Sequence, residues 1–64
     1  MPKLNKLKGA RAEYGYSQAD MADKLNISVD SYNLKENMKN EFKLSEIIKI
    51  MEILNKEFND IFLN

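Results

Sequence analysis

The chain has no cysteine and no histidine, so disulfides, thiolate metal sites and imidazole general bases are all excluded. Its only proline is Pro2, and its only glycines are Gly9 and Gly15. With so few breakers and almost no β-branched runs, the chain reads as helices joined by short polar turns. No apolar run approaches the ~20 residues that a membrane span needs. The opening MPKLNKLKG is basic but has no apolar stretch behind it, unlike a secretory signal. A cytoplasmic location is expected, and no cofactor or metal is implied. Net charge is also absent, with ten basic residues against ten acidic ones.

What is present is ordinary for a small globular domain: 44% hydrophobic and 31% charged residues in a chain of 64. A single domain over residues 1–64 is expected, with a thin stability margin, because a chain this short buries only about 60% of its unfolded surface. The charges are segregated. Lys3, Lys6, Lys8 and Arg11 share the first eleven residues with no acid, whereas residues 12–36 are net acidic. A basic face for nucleic acid is available only from the N-terminus and from Lys35, Lys39 and Lys43.

Periodicity predicts five helices. Leu4, Leu7, Ala10 and Tyr14 form a first apolar stripe that Gly15 ends. Ser17 offers an N-cap, with Asp20 placed to complete a capping box. Met21, Ala22 and Leu25 then face inward, and Asn26 supplies a left-handed stop. Ile27 reads as a buried plug. Ser28 caps a third helix that runs to Lys35 or Glu36 with Tyr32 inside, and NMKNEF is a polar loop closed by Phe42. The longest stripe, Leu44, Ile47, Ile48, Met51 and Leu54, defines a fourth helix. Phe58, Ile61 and Phe62 make a short fifth helix that folds back as a lid. Ile53, Leu63 and part of Phe58 lie off these stripes and form a candidate apolar patch for self-association.

Only Asn26-Ile27 separates the second helix from the third. So short a connection makes the two cross steeply, the geometry of a helix-turn-helix, in which the second helix can lie in a DNA major groove while the first braces on the backbone. The segment RAEYGYSQADMADKLNIS (11–28), the YNLKEN of 32–37, and FKLSEIIKIMEILN with NDIF further on resemble the Cro and phage-repressor (XRE-type) helix-turn-helix family over nearly the whole chain.

That resemblance implies an all-α, compact five-helix bundle, a lambda-repressor-like DNA-binding domain. Its function would be transcriptional repression, with a homodimer on double-stranded operator DNA. It assigns Ser17 and Gln18 to a phosphate at a helix N-terminus, and Val29, Asp30, Asn33 and Leu34 to base edges. Ser28 and Ser31 fall near sugar and phosphate, and Asn37, Lys39, Asn40 and Lys43 along the backbone. Arg11 and Glu36 form an internal ion pair. Asn33 suits an adenine, Val29 and Leu34 suit thymine methyls, and Asp30 can accept from a cytosine amino group.

Met38 stands where the family has glycine. A left-handed methionine costs about 1 kcal/mol, so the third helix is expected to run on or to end in another conformation. Lys43 replaces a hydroxyl cap, and the start of the fourth helix is expected to fray. No serine–lysine pair is oriented for nucleophilic chemistry, so the chain does not read as an enzyme. One alternative stays open: a protein-interaction module that keeps the bundle without binding DNA. Zero net charge and Asp30 favour it, while Gln18, Asn37 and the lysine-bearing loop favour DNA.

Overall fold

The computed structural model describes residues 4–63. Five helices follow one another: α1 (Asn5–Glu13), α2 (Gln18–Leu25), α3 (Val29–Glu36), α4 (Leu44–Leu54) and α5 (Phe58–Phe62). They close around one apolar cluster made by Leu4, Leu7, Ala10, Met21, Ala22, Leu25, Tyr32, Ile50, Leu54 and Ile61. α2 packs most extensively on α3, and α1 on α5. Among the described residues, no helix is long and apolar enough to cross a membrane.

Four of the helices end in the same way. After α1, α2, α3 and α4 the chain enters the left-handed region at Gly15 (φ 72°), Asn26 (φ 59°), Met38 (φ 60°) and Asn55 (φ 51°). Each time two backbone N–H groups reach back to the last turn. Asn26 donates to Asp23 at 3.1 Å and Ile27 to Ala22 at 3.0 Å, and Met38 donates to Lys35 at 3.1 Å and Lys39 to Leu34 at 2.8 Å. This is the Schellman arrangement, which satisfies carbonyls that a helix end otherwise leaves open.

Glycine and asparagine tolerate the conformation. Met38 does not, and here the structure corrects the expectation: α3 neither runs on nor takes another exit. The paired backbone hydrogen bonds outweigh the strain on one side chain. Met38→Gly should therefore stabilise the fold. Relief of about 1–2 kcal/mol of left-handed strain exceeds the roughly 0.5–1 kcal/mol that glycine costs through unfolded-state entropy. The melting temperature should rise by about 2–6 °C, and a circular-dichroism melt with no rise would contradict that balance.

Further expectations are corrected. Tyr14 leaves the α1 stripe: it is 45% exposed and stacks on Tyr16 with ring centroids 5.6 Å apart. Ile27 is half-buried against the core rather than sealed inside it. The largest change is in α4, whose inner face is centred on Ile50, with Leu54 also buried, while Leu44 and Ile48 are 72% and 50% exposed.

The cause is Glu46. Its carboxylate receives Lys35 Nζ at 2.7 and 2.9 Å and the Lys43 backbone N–H at 2.8 Å. Drawing Glu46 inward rotates the helix, so the residues one and two turns on, Ile50 and Leu54, face the core. The same rotation brings Ile53 against the core instead of leaving it on the candidate patch. It also fixes the start of α4, where fraying was expected, because Glu46 accepts the backbone N–H of Lys43, the carboxylate half of a capping box, although no hydroxyl supplies the other half.

Candidate nucleic-acid interface

α2 and α3 are bounded by short, local caps. Ser17 Oγ accepts from Asp20 N at 3.0 Å, and Asp20 Oδ2 accepts from Ser17 N at 2.8 Å. The backbone and hydroxyl of Ser17 hold the Asp20 carboxyl below its ordinary pKa. Ser28 Oγ accepts from Ser31 N at 3.1 Å and starts α3. Between these caps the stop at Asn26 turns the chain, and α3 presents an outer face of Val29, Asp30, Asn33 and Leu34, all exposed. Tyr32, Lys35 and Glu36 point the other way and are buried.

Behind that outer face lies a closed polar network centred on Glu36, which is fully buried. Arg11 donates through Nε to Oε2 at 3.0 Å and through Nη2 to Oε1 at 3.2 Å. Gln18 Nε2 donates to Oε1 at 2.9 Å, and the Tyr32 hydroxyl donates to Oε2 at 2.7 Å. Four donors match the acceptor capacity of a carboxylate. Burial alone would raise the Glu36 pKa, but the hydrogen bonds from Arg11, Gln18 and Tyr32 and the charge of Arg11 hold it below its ordinary value. Tyr32 is pushed well above the usual phenol range by burial and by the adjacent carboxylate. The hydrogen bond to Glu36 raises Arg11, against the opposing effect of burial. The cluster joins α1, α2 and α3 and holds the third helix at a fixed angle to the first two. Among the described residues, no buried side-chain nitrogen or oxygen lacks a hydrogen-bond partner.

The residues singled out from sequence are distributed as follows. Ser17 and Ser28 are exposed but spend their hydroxyls on caps. Gln18 is half-buried, with its amide nitrogen on Glu36 and its amide oxygen accepting from Asn33 Nδ2 at 3.0 Å. Ser31 is half-buried. Asn37 is half-buried too, and its Nδ2 donates to the Asn33 carbonyl at 3.0 Å. Lys39, Asn40 and Lys43 are exposed in the loop after α3. Lys35 is lost to the basic face: it is 8% exposed and bound to Glu46. The positive charge beside α3 therefore narrows to Lys39 and Lys43, with Asp30 near the opposite end.

The Lys35–Glu46, Gln18–Asn33 and Gln18–Glu36 contacts escaped sequence reasoning: in each, polar residues on different helices meet, with no spacing rule to pair them. An open apolar groove lies next to the lysine-bearing loop, lined by Leu4, Met38, Phe42, Ile47, Phe58 and Phe62. Comparison with protein families gives a match to the helix-turn-helix family over residues 7–61. No curated protein matches the chain.

Proposed function

The chain belongs to the helix-turn-helix family, and on that premise we propose that it is a sequence-specific, DNA-binding transcriptional regulator of the Cro type, acting in the cytoplasm as a repressor. The observation that carries this is the exposed α3 face. Val29, Asp30, Asn33 and Leu34 stand outward on a short helix that the Glu36 network braces from behind. In such a protein α3 enters the major groove. Val29 and Leu34 meet thymine methyls, Asn33 meets a base edge, and Asp30 accepts from a cytosine amino group. Ser17, Gln18, Ser28, Ser31, Asn37, Lys39, Asn40 and Lys43 follow the sugar-phosphate backbone, with the first-turn N–H groups of α2 supplying donors. Residues 1–64 act as one domain.

Few base contacts per copy call for two copies on two half-sites. The exposed apolar residues of the last two helices, Leu44, Ile48 and Phe58, together with Leu63 are the surface through which a homodimer forms. Ile48→Asp should leave the helical content intact and weaken self-association. Sedimentation that stays unchanged at high protein concentration would remove this surface from consideration. Ile53→Asp, by contrast, should destabilise the fold, because Ile53 packs on the core.

The primary test is selection of the purified protein on a randomised duplex pool at low salt, with the enriched pool rebound at rising salt. Enrichment of a palindrome with half-sites about one helical turn apart is expected. A pool that stays random, with no retention even at low salt, would overturn the proposal and turn the search to protein partners.

A further inference from the structure

The hydrogen-bonding direction of one exposed side chain on α3 is set from the interior. Glu36 is ionised and accepts only, so the group that Gln18 turns toward it must be the NH₂. The amide of Gln18 then has its oxygen pointing outward, and what meets that oxygen must be a donor. Asn33 supplies it through Nδ2 at 3.0 Å. By the same logic the Asn33 carboxamide is oriented in turn. One Nδ2 hydrogen is committed to Gln18, leaving Oδ1 and the second Nδ2 hydrogen for an incoming group. An isolated asparagine can present either end to a base. Asn33 cannot turn over without breaking the bond to Gln18 and placing two oxygens face to face.

We propose that Gln18 is a positioning residue that, through its bonds to Glu36 and Asn33, fixes Asn33 to read adenine and to reject guanine and thymine. This rests on the DNA-binding function proposed above and specifies what that site recognises. Adenine offers an N6 amino donor for Oδ1 and an N7 acceptor for the remaining Nδ2 hydrogen. Guanine places O6, and thymine O4, where the fixed Oδ1 finds no donor. Cytosine offers an amino donor alone and satisfies half the pair. Val29, one turn before Asn33, and Leu34, next to it, flank the amide with exposed apolar surface. Thymine methyls on neighbouring steps complete an A·T-rich half-site.

Gln18→Met keeps the side-chain length and removes the amide. The full chain and this variant, together with Asn33→Ala, are titrated onto the selected duplex and onto versions carrying guanine, thymine or cytosine at the position read by residue 33. The unaltered chain should prefer adenine over guanine and thymine by about 5- to 100-fold, and Asn33→Ala should lose that preference. Gln18→Met should bind the adenine duplex more weakly, having lost a backbone contact, and in addition its discrimination at that one position should fall by about tenfold. Uniform weakening on all four duplexes, or discrimination left intact, would overturn the positioning role while leaving DNA binding standing. A pool that selects no sequence would sink the DNA-binding proposal itself, and this inference with it.

A second measurement needs no DNA. In the free protein the Asn33 Nδ2 proton that faces Gln18 should resonate downfield of its ordinary position, and it should return toward that position in Gln18→Met with circular dichroism unchanged. A resonance that does not move would overturn the inference whatever the DNA results.

Discussion

Arg11→Ala is expected to cost about 3–5 kcal/mol of folding stability, because it leaves a fully buried carboxylate without its cation. Small domains have only about 5–15 kcal/mol in total, so the urea midpoint should drop by roughly a fifth or more. The effect should also depend on pH, with a defined sign. In the intact protein, Glu36 is held below its ordinary value of 4.5. A carboxylate with a depressed folded pKa contributes stability above the unfolded value and loses it as pH falls through the folded one. Arg11 is a principal source of that depression. The gap between the two proteins should therefore be widest near neutrality and should narrow as the pH falls below the ordinary value of 4.5, closing only once the carboxyl takes up a proton in the intact protein as well. Urea titrations followed by circular dichroism at several pH values measure it. A gap that stays constant from pH 7 to pH 3 would show that Arg11 acts through packing and not through its charge.

The second large effect concerns salt. With Lys35 bound to Glu46, Lys39 and Lys43 are the two lysines left beside α3. If both meet phosphates in each copy of a dimer, four contacts give a slope of about −3.6 in log affinity against log salt. Raising salt from about 50 to about 200 mM should then weaken operator binding by roughly 150-fold. Lys39→Ala with Lys43→Ala should remove most of that dependence, while base preference at the Asn33 position persists. Asn37, Asn40 and the helix N-termini still orient the protein, but neutral donors release few counterions. A double variant that keeps the full slope would place the phosphate contacts elsewhere, with the lysines of α1 next in line. A slope near zero in the intact protein would argue for a protein partner instead of DNA.

How far the sequence foretold these sites depends on the range over which each feature is determined. Ser17 with Asp20, the cap at Ser28, and the stop at Asn26 were all readable, because a cap is settled within five or six residues. The rotation of α4 was not. Ile47, Ile50, Met51 and Leu54, at i, i+3, i+4 and i+7, make as regular a stripe on paper as Leu44, Ile47, Ile48, Met51 and Leu54, so the apolar pattern alone does not choose between the two faces. The choice is made by Glu46, whose partner Lys35 lies on another helix, through the cost of leaving either charge unpaired. Met38 misled in the opposite sense. Its intrinsic dislike of a left-handed conformation is real, but two backbone hydrogen bonds at Lys35 and Leu34 prevail over it. The Gln18–Asn33 contact was invisible because both are common surface residues, and only the buried carboxylate behind them gives the pair a direction.

The repeated Schellman stops bear on how the chain finds its fold. Each closes within six residues, so the C-terminal ends of four of the five helices can be set before distant parts of the chain meet. α2 and α3, joined by three residues, are also the most closely packed neighbours. Low contact order of this kind goes with folding in microseconds to milliseconds. The contact of greatest sequence separation between helices is the docking of α5 on α1, which brings the two ends of the bundle together. That docking is the natural late step, and Ile61, fully buried in α5, is the residue where truncation should speed unfolding far more than it slows folding.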